Sequence, residues 1–277
     1  MRPGSQLKPA FKRFFHGLCC LTTTVLAGVF INKQYLLEPE FAERSYFYKV
    51  PYLIMCMHIM ISTLFVGFVF AECNLIACGQ GYSIDEKTGV ENFNSYRQVN
   101  IWRFETSMSG LEATSTWNMQ VHHWLKYYVS MRLKDRTKPR GQLQVVPTFL
   151  TYLASALWHG IDAGYFVFFV GLALLDVFGR IAAGTTIAHR VREAVPPAVL
   201  MPLVWLFNMF SLSYLGMAFV FLQYNKFKHM YVALDHVLHY GLPIGILVAY
   251  LLPKQPRVKP VHTSKDTAVS DDKKKTD

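Results

Sequence analysis

The feature that most constrains this chain is a series of apolar runs, most of them near the length that crosses a bilayer. A membrane helix needs about 20 mostly apolar residues, because the hydrocarbon core is about 30 Å thick. A soluble core seldom needs blocks of this length. We therefore predict an all-α fold, a polytopic transmembrane helical bundle with about six membrane helices. In chain order the runs are 14–31, 50–71, 146–158, 165–183, 198–222 and 237–252.

Composition and charge agree with a membrane protein and argue against a nucleic-acid-binding one. Hydrophobic residues make up 52% of the chain and charged residues only 17%. The formal net charge of +10 would suit nucleic acid, but the basic residues lie between the apolar runs. That placement is typical of charges that flank membrane helices. The expected partner is thus the lipid bilayer, with no nucleic acid.

The two ends of the chain differ in character. The first apolar run resembles a signal peptide, but it continues past the candidate cleavage site at 25–27 and another run follows, which favours a retained helix. We predict one membrane domain over residues 1–252. The remaining residues, 253–277, are charged and contain proline, so we predict a disordered, cytosolic tail.

A long polar section, 72–145, separates the second and third runs. Its residues from Thr114 to Leu133 place apolar side chains at helical spacing, which predicts an interfacial amphipathic helix. The stretch from Asp85 to Gly89 predicts a turn. The run 146–158 is short for a full crossing, so it is either a tilted helix or a re-entrant one.

One histidine, His159, lies between two apolar runs. A titratable side chain at membrane depth is costly without a partner or a wet cavity, so it is a candidate functional residue. The alternative is a structural histidine that bonds to a backbone carbonyl or to Asp162. The five cysteines form no disulfide framework, and no metal-ligand spacing is present, so no metal site is expected.

Two motifs favour the functional interpretation of His159. One is Trp117-Asn118 within Thr116–Lys126, and the other is Leu157-Trp158-His159-Gly160, followed by Gly164-Tyr165. Together they resemble the membrane-bound O-acyltransferase family, and within it the lysophospholipid acyltransferase branch. The resemblance is strongest over residues 46–222 and places Asn118 and His159 at the family's catalytic pair.

The resemblance implies transfer of a fatty acyl group from acyl-CoA to a lysophospholipid hydroxyl. His159 would be the general base, since burial favours the neutral imidazole that can accept a proton. Asn118 would either position the acceptor hydroxyl or stabilise the oxyanion, and the sequence leaves both roles open. Acyl-CoA is a co-substrate, and no cofactor is implied.

The same resemblance suggests further substrate-binding residues near the pair. The aromatic candidates are Trp117, Trp158 and Tyr165, and the basic candidates for a phosphate are Lys126 and Arg132. For the two basic residues, anchoring at the membrane surface is the favoured alternative.

The distribution of Lys and Arg predicts a cytosolic N-terminus, polar section and C-terminal tail. Asn118 then lies toward the cytosol and His159 toward the far end of a crossing, unless that helix is re-entrant or the two meet in a chamber within the bilayer. Lys274-Lys275 near the C-terminus resembles a dilysine retrieval signal, so we expect a multi-pass protein of the endoplasmic reticulum membrane.

The chain also departs from the family pattern. Family members usually have additional membrane helices before the matched region. If the 277 residues are the whole polypeptide, we expect activity to need self-association or a partner chain that completes the site; the alternatives are a truncated gene model and a product of alternative splicing. The rival interpretation is a truncated or catalytically silent membrane scaffold or regulator of an acyltransferase. A transporter is disfavoured because no repeat symmetry or paired broken helices are visible.

Overall fold

The computed structural model describes residues 4–86, 88–135, 137 and 143–255. Within these ranges the chain forms helices and one short β-hairpin. The elements are α1 Leu7–Phe30, a 3-10 turn Lys33–Leu37, α2 Pro39–Glu43, α3 Tyr46–Ala77, β1 Ser83–Ile84, β2 Glu91–Asn92, α4 Ile101–Glu105, α5 Gly110–Thr116, α6 Met119–Trp124, a π-helix Leu125–Ser130, α7 Met131–Leu133, α8 Val145–His159, α9 Ala163–Ala183, α10 Thr186–Ala194, α11 Pro197–Phe221, α12 Tyr224–Ala233 and α13 Val237–Leu251.

The prediction of a helical membrane bundle is confirmed, but the count of six membrane helices is not. Four helices of the described chain, α1, α3, α9 and α11, are long and apolar enough to cross a bilayer. A fifth crossing exists if α12 and α13 are one span bent by 72°. The bend falls at Asp235 and His236, whose positive φ angles of 50° and 49° interrupt the helix. The remaining apolar run forms α8, whose 15 residues are too few for a straight crossing.

The first two long helices extend beyond their apolar runs. α1 begins at Leu7, so the basic residues Lys8, Lys12 and Arg13 lie on the helix and not in a preceding tail. α3 begins at Tyr46 and continues to Ala77, with Pro51 inside it. A helix can continue beyond the apolar core because its hydrogen bonds satisfy the backbone and its long basic side chains extend to the interface. Hydropathy alone therefore underestimates the length of both helices.

The core is formed where α9 packs between its neighbours, and two glycines permit a close approach to α11. A Cβ atom at Gly164 would lie 2.7 Å from the Leu222 Cα atom, and one at Gly171 would overlap the side chain of Leu215. The Gly164 N–H also donates to the Leu222 carbonyl at 2.8 Å. Small residues at this crossing therefore bring the two backbones together, as in many membrane bundles.

Part of the polar section folds back into the bundle. The segment from Val99 to Glu105, which includes α4, runs along α3 in the direction of His58, because the Val99 N–H bonds to Glu72 and Glu105 lies beside His58, and α5 then returns. At the turn, His58 Nε2 lies 2.9 Å from a Glu105 carboxylate oxygen. We call α4, α5 and the turn between them the inserted hairpin.

The turn of the inserted hairpin is held by α11. The Trp205 indole N–H donates to the Glu105 carbonyl at 2.7 Å, and the Asn208 amide donates to the Ser107 carbonyl at 2.8 Å. These bonds satisfy backbone groups that would otherwise be unpaired between apolar helices.

One prediction for the remaining segments is corrected. The amphipathic helix expected from Thr114 to Leu133 is broken after Thr116, because Asn118 adopts a left-handed conformation that no α-helix continues. Of the predicted tail, the structure describes residues 253–255, whose backbone pairs with the start of α10: Thr186 N–H donates to the Pro253 carbonyl and Gln255 N–H to the Gly184 carbonyl. The rest of the tail lies outside the described residues. The turn at Asp85–Gly89 is confirmed, with Gly89 N–H donating to Asp85.

Candidate active site

Asn118 occupies a strained position between α5 and α6. Its φ and ψ are 41° and 54°, the left-handed region that side-chain-bearing residues rarely adopt and that asparagine tolerates best. Its side chain caps neither helix and makes no hydrogen bond within the described residues. An unpaired amide on an over-determined backbone is the kind of local strain that clusters at functional sites. The amide is therefore available to a ligand.

The backbone on both sides of Asn118 is fixed by one segment outside the helices and strands, 95–100. Asn100 N–H donates to the Thr116 carbonyl at 2.9 Å, and Met119 N–H donates to the Gln98 carbonyl at 2.7 Å. That segment is held in turn by the buried Glu72, which accepts from the Gln98 and Val99 backbone N–H groups at 2.6 and 3.0 Å. The strained conformation is thus imposed from outside by long-range hydrogen bonds.

Trp117 forms part of the support for Asn118. Its ring lies 5.2 Å from those of Phe68 and Phe104 and 5.5 Å from that of Phe65, centroid to centroid. Contacts of this kind add to the apolar area that the rings bury, and they attach the start of α6 to α3. The position explains how Trp117 contributes to the site, while its predicted contact with substrate stays a prediction.

His159 ends α8 in an aromatic environment. Its ring stacks on Phe169 at 5.2 Å and meets Phe219 edge-on at 4.9 Å, and the Tyr165 ring lies 5.6 Å away. No hydrogen bond or ion pair to the imidazole is found among the described residues, and the bond to Asp162 considered above is not formed. The ring is half-buried, so its nitrogens are positioned by packing and left unpaired.

The turn after His159 preserves this arrangement. Gly160 has a φ of 146°, and a Cβ atom there would lie 3.0 Å from the Tyr165 ring. Trp158, by contrast, is half exposed, with its ring perpendicular to that of His159 at 4.6 Å. Tyr165 and Trp158, both predicted as substrate contacts, therefore flank the imidazole on two sides.

The elements that carry Asn118 and His159 are in contact, although the two side chains share no hydrogen bond. The π-helix Leu125–Ser130, which continues α6, packs on α8, and Tyr152 of α8 lies beside Thr114 of α5, one turn before Asn118. Tyr152 itself precedes His159 by about two turns, or about 10 Å.

The two basic candidates are exposed, Lys126 on the π-helix and Arg132 on α7. Lys126 Nζ lies 5.6 Å from the Tyr127 ring, and the Arg132 guanidinium lies 5.4 Å from the Tyr128 ring. Trp124 stacks on the same Tyr128 at 6.3 Å. Exposed aromatic and basic side chains in one row are typical of a helix at the membrane surface.

Two further features of the site were not found from the sequence. Glu72 was missed because it directly follows an apolar run, and nothing in the neighbouring sequence indicates that its carboxylate binds the backbone of residues 98 and 99. The second feature is His122, whose backbone N–H donates to the Asn118 carbonyl oxygen at 2.9 Å. Burial of the His122 imidazole lowers its pKa, and the nearby His123 and Lys126 lower it further. Within the described ranges, no group of three or more His, Cys, Asp or Glu residues could hold a metal ion.

Comparison with known proteins gives one family. The model of the membrane-bound O-acyltransferase family matches residues 2–221. A lysophospholipid acyltransferase of Saccharomyces cerevisiae is 31% identical over 176 residues, which are 63% of this chain and 28% of that protein. Lysophospholipid acyltransferase 1 of Arabidopsis thaliana is 28% identical over 80% of this chain and 48% of its own length.

A human relative gives a similar result. Membrane-bound glycerophospholipid O-acyltransferase 1 of Homo sapiens is 27% identical over 83% of this chain and 43% of its own length. The chain thus spans about half the length, or less, of these curated relatives.

Proposed function

The chain belongs to the membrane-bound O-acyltransferase family, and on this basis we propose that it transfers a fatty acyl group from acyl-CoA to the hydroxyl of a lysophospholipid. The relatives named as lysophospholipid acyltransferases support the acceptor class. We place the reaction in the endoplasmic reticulum membrane, where the protein is a multi-pass helical bundle.

The observation that carries this proposal is the state of the two candidate catalytic groups. The His159 imidazole and the Asn118 amide are both held in place by their surroundings, and both lack a hydrogen-bond partner in the described structure. A purely structural polar group in an apolar bundle would normally be paired. Unpaired groups on contacting elements suit a substrate that supplies the missing partners.

The proposed reaction needs only these groups and the two substrates. A neutral His159 nitrogen takes the proton of the acceptor hydroxyl as its oxygen attacks the thioester carbon. A C–O bond forms, the carbonyl oxygen becomes negatively charged, and the Asn118 amide either donates to that oxygen or holds the attacking hydroxyl. The C–S bond then breaks, and the imidazolium returns its proton to the departing CoA thiolate.

The surrounding apolar and aromatic side chains have a defined part in this scheme. Trp158 and Tyr165 border the imidazole and restrict water, which would otherwise compete as an acceptor and hydrolyse the thioester. Lys126 and Arg132 lie at the surface, where they attract phosphate headgroups and orient the helix.

A test of the proposal is acyl transfer by membranes that contain the full 277-residue chain. Labelled acyl-CoA would be offered with a panel of lysophospholipids, and His159→Phe and His159→Ala would be compared with the parent chain. His159→Phe keeps a ring against Phe169 and Phe219 but removes the base. We expect it to insert and fold normally and to lose about 10²–10⁴-fold in transfer rate, the usual contribution of a general base.

The matched control is His189→Ala. His189 is exposed on α10 and pairs only with an exposed Glu193, so its removal should leave transfer unchanged. Transfer by His159→Phe at the parental rate would contradict the assignment of the base. Membranes that show no transfer with any acceptor would instead favour the rival function, a silent scaffold or regulator of an acyltransferase.

A further inference from the structure

A cavity of about 800 Å³, whose lining contains neither candidate catalytic residue, lies between α1, the end of α3 and the β-hairpin. Four of its lining residues are basic or titratable to a cation. Lys12, Arg13 and His16 lie on the first half of α1, and Arg97 comes from the segment that fixes Asn118. The lining also includes Ser5, Glu91 and Asn94.

The positive charge of this cavity is only partly compensated. Arg13 lies 3.0 Å from Glu72, so that cation has a partner. Glu91 lines the cavity and accepts a hydrogen bond from the Tyr82 hydroxyl at 3.2 Å. Lys12 has no ion pair or hydrogen bond among the described residues.

Arg97 is the most informative of the four. Its Nε donates to the Val99 carbonyl at 3.1 Å, while its two terminal nitrogens make no hydrogen bond in the described chain. Burial, followed by the charge of Arg13, lowers the pKa of Arg97, and Glu72 offsets this only in part. A partly buried guanidinium whose two terminal nitrogens are unpaired can bind a phosphate through two parallel hydrogen bonds.

One neutral donor completes the lining. The Ser5 hydroxyl oxygen is shielded from solvent and has no partner within the described residues. A hydroxyl, a primary ammonium and a free guanidinium edge around one space offer hydrogen-bond donors to an anion, while the Glu91 carboxylate of the same lining already accepts from Tyr82.

We propose that this cavity binds the phosphate group of a substrate. Its volume exceeds what a single phosphate ion fills and lies within the range of ordinary small-molecule sites. Two phosphate-bearing molecules enter the proposed reaction, coenzyme A as its thioester and the lysophospholipid with its headgroup. The inference rests on the proposed function for these two sources, but the binding itself can be measured without any transfer.

The cavity is connected to the candidate active site by the segment that carries Arg97. The Gln120 side chain donates to the Arg97 carbonyl at 3.2 Å, and Met119 N–H donates to the adjacent Gln98 carbonyl. A ligand that draws Arg97 inward therefore acts on the same backbone that holds Asn118 in its left-handed conformation. Phosphate binding would thus order the site before acyl transfer.

The experiment is equilibrium binding to the full chain in detergent, with coenzyme A, glycerol 3-phosphate and inorganic phosphate as separate probes. Lys12→Gln and Arg97→Gln would be compared with Lys8→Gln, a control on the same helix that does not line the cavity. We expect each test variant to weaken the bound probe at least about tenfold, the value of one charge-assisted hydrogen bond, with Lys8→Gln at the parental affinity.

The three probes separate the sources. Tight binding of coenzyme A alone assigns the cavity to the donor, and tight binding of glycerol 3-phosphate alone assigns it to the acceptor headgroup. Competition by inorganic phosphate confirms that the phosphate is what is recognised. Equal affinities in the Lys12, Arg97 and Lys8 variants, or no binding of any probe, would overturn the inference.

Failure of the inference can be told apart from failure of the proposed function. If the chain binds a probe through Lys12 and Arg97 but transfers no acyl group, the phosphate site is supported and the proposed function is contradicted. If the chain transfers acyl groups and Lys12→Gln and Arg97→Gln leave the KM for both substrates unchanged, the proposed function is supported and the phosphate site is contradicted.

Discussion

Substitution of Asn118 can separate the role of its side chain from that of its backbone. Asn118→Gly removes the amide but suits the left-handed conformation, whereas Asn118→Ala removes the amide and opposes it. The left-handed region costs a residue with a Cβ about 1–2 kcal/mol, and glycine adopts it freely. We therefore expect the Gly variant to unfold at nearly the parental temperature and the Ala variant to lose about 1 kcal/mol of stability.

The effect on transfer should be the same for both variants. If the amide stabilises the oxyanion, its removal raises the barrier by about 2.7–4 kcal/mol, or about 10²–10³ in rate. Asn118→Asp, which tolerates the backbone but replaces the donor by an acceptor, should lose as much. The two open roles also differ in kinetics, because positioning the hydroxyl affects KM for the acceptor, while oxyanion stabilisation affects kcat.

The assay is acyl transfer per folded molecule, paired with thermal unfolding in detergent. A purely structural role for Asn118, as the residue that ends one helix and begins another, predicts an active Gly variant. Parental transfer by Asn118→Gly would therefore refute the reasoning, whatever the Ala variant does.

Three further predictions follow from packing and targeting. Glu72→Ala should lower the free energy of unfolding in detergent by about 3–5 kcal/mol, because it leaves Arg13 without its partner and two backbone N–H groups without an acceptor. A loss below about 1 kcal/mol would contradict the role of Glu72 in holding residues 98 and 99. Gly164→Ala should cost about 1–3 kcal/mol in the same measurement, since the new methyl meets backbone atoms, while Gly179→Ala on the same helix meets nothing within 4 Å and should be neutral; equal stabilities would be inconsistent with the close α9–α11 crossing. Replacing Lys274 and Lys275 by Ser should let part of the protein leave the endoplasmic reticulum, visible by fluorescence microscopy, and an unchanged distribution would show that these lysines are not the retention signal.

The sequence is most informative about the long helices, because a bilayer imposes a length and an apolar composition that can be read locally. α9 begins at Ala163 and ends at Ala183, close to the predicted 165–183. α8 was expected to be short, and it is. The two motifs were sufficient to indicate the family.

The inserted hairpin could not be predicted, for a physical reason. Its polar groups are satisfied by Trp205 and Asn208, about 100 positions further along the chain. Local composition therefore suggested a surface segment, although Ser109 with Glu112 three residues later marks the start of α5, where Ser109 accepts from the Glu112 N–H at 3.2 Å. The break at Asn118 was missed for a similar reason, since the hydrogen bonds that impose it come from residues 95–100.

The inserted hairpin has a consequence for how the protein is made. Helices enter the membrane in the order of synthesis, so α3 is in place well before α11 leaves the ribosome. During that interval the turn around Ser107 has no partner for its backbone groups, and apolar lipid would not accept them unpaired. The hairpin must therefore wait at the aqueous surface and enter between α3 and α11 only after residue 208 has been inserted. Assembly of the candidate active site is in this sense a late, post-translational step. A ribosome stalled before α11 would leave residues 101–116 open to protease on the side where they were synthesised.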